Sequence, residues 1–151
     1  MRIIRGLHNL KSGSPGCVAT IGTFDGVHLG HRAVFQRLAD LGRGLGLATT
    51  VITFEPQPME FFAPERAPAR LTRLGEKLHA LCHCGIDQVV LLEFGPRMAA
   101  MGACAFVREL LVDGLRVRHL LVGDDFRFGH GREGDFALLE AMGQEHGFVV
   151  D

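Results

Sequence analysis

No apolar run in this chain approaches the ~18 residues needed to span a bilayer, so the sequence offers no transmembrane helix. Neither sign of charge is in excess. Sixteen Lys and Arg against 17 Asp and Glu leave a net charge of -1, which argues against a dedicated nucleic-acid or membrane surface. The N-terminal Met1-Arg2-Ile3-Ile4-Arg5 carries no signal-peptide core. Internal repeats, low-complexity tracts and linkers are missing too. Cysteines are few, at 17, 82, 84 and 104, and reduced structural thiols are the expected state. His79 and His83 share a helix face while Cys82 and Cys84 do not, and no second ligand pair at zinc spacing accompanies them. No metal site is assigned. The expectation is one cytoplasmic globular domain: 151 residues, 47% apolar and 22% charged, can bury one substantial core.

What is present is an alternation of strand and helix patterns, which predicts an α/β fold with a parallel, doubly wound sheet. Ile3-Ile4 with Leu7 reads as a short leading strand, and 17–22 as the first core strand. The helix expected over 31–45 puts Val34, Leu38 and Leu41 on one stripe, with Phe35 and Leu45 beside it. Residues 48–54 read as the next strand. Four prolines between 55 and 71 predict a long loop without regular structure, a kind of segment that is usually functional. Thr72 is the expected cap of a helix stopping at Gly85. A strand over 88–93, a helix over 103–115 and a strand over 119–123 follow. A glycine-rich loop to Gly134, a helix capped by Asp135 and a strand start at 148–150 complete the pattern.

The most informative stretch is Gly22-Thr23-Phe24-Asp25-Gly26-Val27-His28-Leu29-Gly30-His31. A strand ends there in a glycine-punctuated turn that brings two imidazoles to a helix N-terminus. Unpaired amides and the positive end of the helix dipole make such a terminus an anion site. Two histidines add donors that can follow a phosphate as charge builds on it. The pattern is neither a Walker A loop nor a dinucleotide fingerprint. Ligands of open α/β sheets bind outside the carboxyl ends of strands, and 22–31, 53–58 and 123–129 each lie at such an end. They are expected to line one cleft.

The His28-Leu29-Gly30-His31 segment resembles the His-x-Gly-His motif of the nucleotidyltransferases, and its fuller form is similar to bacterial FAD synthetases. The likeness continues through Thr53-Phe54-Glu55-Pro56-Gln57-Pro58, then Leu71-Thr72 with Glu76-Lys77, then Gly85-Ile86-Asp87. It closes with Val122-Gly123-Asp124-Asp125-Phe126-Arg127-Phe128-Gly129 and Arg132-Glu133-Gly134-Asp135, so that it covers about residues 15 to 150. Gln57 departs from the histidine often found there and is given no catalytic role.

The resemblance implies a Rossmann-like nucleotidyltransferase fold and an FMN adenylyltransferase. The FMN phosphate would attack the α-phosphorus of ATP and release pyrophosphate, with magnesium carried by the substrate. Because that nucleophile is already anionic, positioning and charge stabilisation matter more than a general base. His28 and His31 are the candidates for catalysis. Gly22, Thr23, Phe24, Gly30, Gly123 and Asp125 are candidates for ATP, and Asp25, Glu55, Pro56, Pro58, Phe126 and Phe128 for FMN. Asp25 either orients amides or a magnesium-bound water, or caps the turn. Asp125 either holds a ribose or ribityl hydroxyl or is a turn residue. Phe54 reads as core, Phe61 and Phe62 are ambiguous, and Arg127 and Arg132 are possible phosphate donors.

Family members continue into a serine/threonine-rich motif ending in arginine, and then into a riboflavin kinase barrel. This sequence stops at Asp151, before both. The expectation is therefore an adenylyltransferase domain over 1–151 that is incomplete at its C-terminus, slow in forming FAD, without riboflavin kinase activity, and fused to that kinase in the parent protein. Two rival readings stand beside it. One is another His-x-Gly-His transferase, cytidylyl or pantetheine-phosphate adenylyl; the other is a non-catalytic nucleotide- or flavin-binding module.

Overall fold

The apolar runs become one parallel sheet in the computed structural model, which describes residues 1–10, 14–26, 29–67, 69 and 73–151. Its strands are β1 (Arg2–Arg5), β2 (Cys17–Ile21), β3 (Ala48–Phe54), β4 (Gln88–Leu92), β5 (Val117–Leu121) and β6 (Val149–Val150). They lie in the order β1-β4-β3-β2-β5-β6, and every pairing is parallel. The chain runs outward from β2 through β3 to β4, then returns to the other side of β2 for β5. The order therefore reverses between β2 and β5, where a crevice opens at the carboxyl ends.

The helices are α1 (Leu29–Leu45), α2 (Pro58–Phe62), α3 (Leu74–His83), α4 (Pro96–Ala100), α5 (Ala103–Phe106) and α6 (Phe136–His146). Side chains of the strands alternate between two cores. Val18, Val51 and Val89 pack with Phe35 of α1 and Leu81 of α3 on one face. Cys17, Ala19, Ile52 and Val90 pack on the other with Phe106, Leu110 and Leu139. This doubly wound arrangement is the one the strand–helix alternation predicts.

Several boundaries differ from expectation, each for a local reason. Leu7 lies outside β1, in a 3₁₀ turn over Leu7–Asn9. Helix α1 begins at Leu29 rather than at residue 31, which puts His31 within its first turn. The proline-rich stretch is not devoid of structure: α2 starts at Pro58, since proline fits the first helical position, where no intrahelical donor is needed. The same device starts α4 at Pro96, a helix the periodicity did not reveal. Thr72 lies outside the described residues, and the cap position of α3 belongs to Arg73, whose amide donates to Glu76 at 3.3 Å. Beyond α5 the helical path widens to a π-helix over Val107–Gly114. Asp135 does cap α6, accepting from the Leu138 amide at 2.9 Å.

Cys17 lies at the centre of the sheet, fully buried, with its thiol 3.7 Å from the Leu115 carbonyl. Burial pushes this thiol up to about 11, against a smaller lowering by a hydrogen bond with Thr50. A thiol whose folded pKa is raised contributes stability in full below its unfolded value of about 9, and that contribution disappears as pH climbs toward 11. The loss expected between those limits is on the order of 2–3 kcal/mol. Denaturant melts of Cys17→Ala beside the unchanged chain check it. The variant's stability should fall less across this pH range, and parallel curves would contradict the assignment.

Candidate active site

Gly22 follows β2, and its amide donates to the Ile52 carbonyl of β3 at 3.0 Å. The chain must then turn sharply. Phe24 takes a left-handed φ of 51°, unusual for a residue with a side chain, and folds its ring back beneath Gly22. A Cβ on Gly22 would stand 2.9 Å from that ring, so glycine is the residue that fits. The Phe24 ring is buried and meets His31 edge-on at 5.2 Å and Phe35 at 5.2 Å. His31 is thereby seated at the start of α1, at the head of the crevice. The Thr23 carbonyl accepts from Lys77 Nζ of α3 at 2.6 Å and from the Thr53 hydroxyl of β3 at 3.2 Å. The turn is fixed from both sides.

Beside it opens a cavity of about 760 Å³, in the range of small-molecule sites. Gly22 and Thr23 form one edge, Phe54 and Pro58 another, and residues 126–129 a third. Part of each of the three strand-end segments therefore meets at one cleft, while among the described residues 24–31, 55–57 and 123–125 lie outside its lining. The walls are largely aromatic. Phe126 stacks on Phe128 at 5.6 Å with 15° between the rings, and Phe128 leans on Phe106 at 5.5 Å. Across the cavity Phe62 packs on Phe94 at 5.3 Å.

The glycine-rich loop is held as a wall by specific contacts. Phe128 and Gly134 exchange main-chain hydrogen bonds of 3.2 and 2.8 Å, and the His130 amide donates to Met101 at 2.8 Å. Glu133 accepts from the Ala103 amide at 2.8 Å, tying the loop to the start of α5. Gly129, at φ 80°, lies so close to α5 that a Cβ would stand 2.7 Å from Ala103 Cα. Arg127 and Arg132 give this wall a cationic lining, with the His130 imidazole between them in sequence.

The candidate residues divide as follows. Gly22, Thr23, Pro58, Phe126 and Phe128 line the cavity. Phe24 and His31 shape the adjoining turn, with Gly30 in the first turn of α1 and Asp25 half-buried between them. Gly123 and Asp125 are exposed past the end of β5, Asp125 bending back toward Gly123. Glu55 and Pro56, joined by a cis peptide, follow β3 just ahead of the cavity-lining Pro58. His28 lies outside the described residues. Phe54, read as core, is buried but also forms cavity wall. Sequence reasoning missed Phe94, Met98 and Phe106, which look like ordinary core residues, and it gave Lys77 and Thr53 no role. Lys77 carried a signal nonetheless, as a lone lysine at an apolar-stripe spacing between Leu74 and Leu81.

Among the described residues no group of three or more His, Cys, Asp or Glu could hold a metal ion. Also among the described residues, no helix is long and apolar enough to cross a membrane.

Residues 10–151 match the family model described as FAD synthetase. The chain belongs to the FAD synthetase family. Curated relatives named bifunctional riboflavin kinase/FMN adenylyltransferase include proteins of Escherichia coli, 57% identical over 99% of this chain, and of Pseudomonas fluorescens, 50% identical over all of it. The protein of Haemophilus influenzae with the same name is 44% identical over the whole chain. The chain spans about half the length of these relatives, 48% to 49%. Among solved structures, one titled macrolide-efflux protein from Streptococcus pneumoniae superposes on the whole chain and 50% of its own, with a TM-score of 0.82 at 20% identity. A pantoate-beta-alanine ligase from Francisella tularensis, with 66% of its chain covered, gives 0.58 at 12% identity. These two likenesses speak to the fold alone.

Proposed function

We propose that this cleft transfers AMP from ATP to FMN, giving FAD and pyrophosphate. The observation that carries the reading is the aromatic cavity opening directly beside the turn after β2. A flat tricyclic ring fits the former and a polyphosphate fits the latter, and an adenylyl transfer to FMN needs both side by side. Phe62, Phe126 and Phe128 offer faces for the isoalloxazine, while Arg127 and Arg132 favour its anionic end.

A phosphate oxygen of FMN attacks the α-phosphorus of ATP, and the bond to the oxygen bridging the α- and β-phosphorus breaks. Pyrophosphate leaves with that electron pair. The nucleophile carries its negative charge already, so the protein's task is to align two polyanions and spread the charge moving onto the leaving group. His31 and His28 are the donors assigned to the triphosphate, together with the amides of Thr23 and Phe24. Magnesium arrives on the ATP, as part of the substrate. Whole-protein relatives carry riboflavin kinase in their name, and we extend to the parent of this chain the same pairing of activities.

Flavin fluorescence tests the reading, because stacking on aromatic rings quenches it. FMN is expected to be quenched on binding, and Phe126→Ala to weaken binding roughly tenfold through lost ring contact. Unquenched FMN, or equal affinity in the variant, would remove the flavin assignment.

A further inference from the structure

A lysine with no exposed surface is unusual, since an ammonium loses hydration on burial and must find compensation. Lys77 sits inside the first turn of α3 and directs Nζ at the Thr23 carbonyl, 2.6 Å away. The Thr53 hydroxyl, equally buried, donates to the same oxygen at 3.2 Å. One main-chain carbonyl at the head of the crevice thus takes two buried donors, one of them charged.

A trans peptide is planar, with its C=O and N–H pointing in opposite directions. Holding the Thr23 oxygen toward Lys77 and Thr53 turns the Phe24 N–H away from those two side chains. Among the described residues no carbonyl or side chain accepts from that amide. The ammonium also polarises the peptide it touches, which makes the opposite N–H a stronger donor.

We infer that Lys77 is a positioning residue for the nucleotide's phosphates: with Thr53 it holds the Thr23–Phe24 peptide so that the Phe24 amide faces the anion. This rests on the adenylyltransferase reading, because it deepens the phosphate half of the same site. Lys77 touches no substrate. It acts through the peptide it holds, and its charge adds to the positive potential of the turn.

The probe is inorganic pyrophosphate, titrated into isotopically labelled protein while the Phe24 amide resonance is followed. In the unchanged chain that resonance should move downfield and saturate. Lys77→Met, which preserves the length of the stem, should abolish the movement and weaken pyrophosphate roughly tenfold or more. Thr53→Val should weaken it about threefold in the same direction, with no change in charge. FMN quenching is measured on all of these proteins and reports on the flavin reading separately. A purely structural lysine would lower the melting temperature and leave the amide response intact, which overturns the inference. So would a silent Phe24 resonance in the unchanged chain. An effect of Lys77→Met with none from Thr53→Val would reduce the lysine to a remote charge and equally overturn positioning. If Lys77→Met does not fold, the Thr53→Val comparison decides by itself.

Discussion

His31→Ala is expected to lower the rate of AMP transfer to FMN by roughly 10²-fold or more, the usual consequence of removing one preorganised transition-state donor. The comparison is a ratio of single-turnover rates, so it holds whatever the absolute rate of the unchanged chain. FMN affinity should stay within about twofold, because His31 packs on Phe24 and is not part of the cavity wall. His31→Gln keeps a donor near the same place and should recover part of the loss. A variant that loses transfer and FMN binding together, with a lower melting temperature, would identify His31 as a packing residue.

Phe35→Ala should have the largest effect on stability, about 3–5 kcal/mol by urea unfolding. Phe35 is 1% exposed and among the largest fully buried side chains. Its ring lies 5.2 Å from Phe24 and 6.4 Å from His31, so the hole it leaves adjoins the active-site turn. Domains of this size are stable by only ~5–15 kcal/mol, and such a loss is a large share. AMP transfer should fall with it, because Phe24 and the helix start lose their seat. Phe35→Leu fills most of the volume and should cost less than half as much. A loss under about 1 kcal/mol for Phe35→Ala would show that α1 is not anchored as described.

How far the sequence could be read follows from which interactions are local. Residues 48–54 announce a strand through a continuous apolar and β-branched run, and β3 has those bounds. Asp135 announces the start of α6 because capping is decided within three residues. The cleft was legible through its chemistry, since Gly22, Pro58 and Phe126 belong to motifs at strand ends. Its opposite wall was not. Phe94 and Met98 become cavity lining only because the chain after β4 packs against the glycine-rich loop around 130–132, and nothing local distinguishes them from core. Lys77 and Thr23 are 54 residues apart, and their contact follows from strand order, not from spacing. The widening to a π-helix over 107–114 has no counterpart in the apolar periodicity, which fits an α-helix as well.

The measurement closest to the central claim follows ATP labelled at its α-phosphate, offered with magnesium to the chain and FMN. Label should appear in FAD, unlabelled pyrophosphate should be released in equal amount, and CTP should not replace ATP. Label passing from CTP as readily as from ATP, or pyrophosphate released from ATP without label entering flavin while FMN is visibly bound, would contradict an FMN adenylyltransferase site in this cleft.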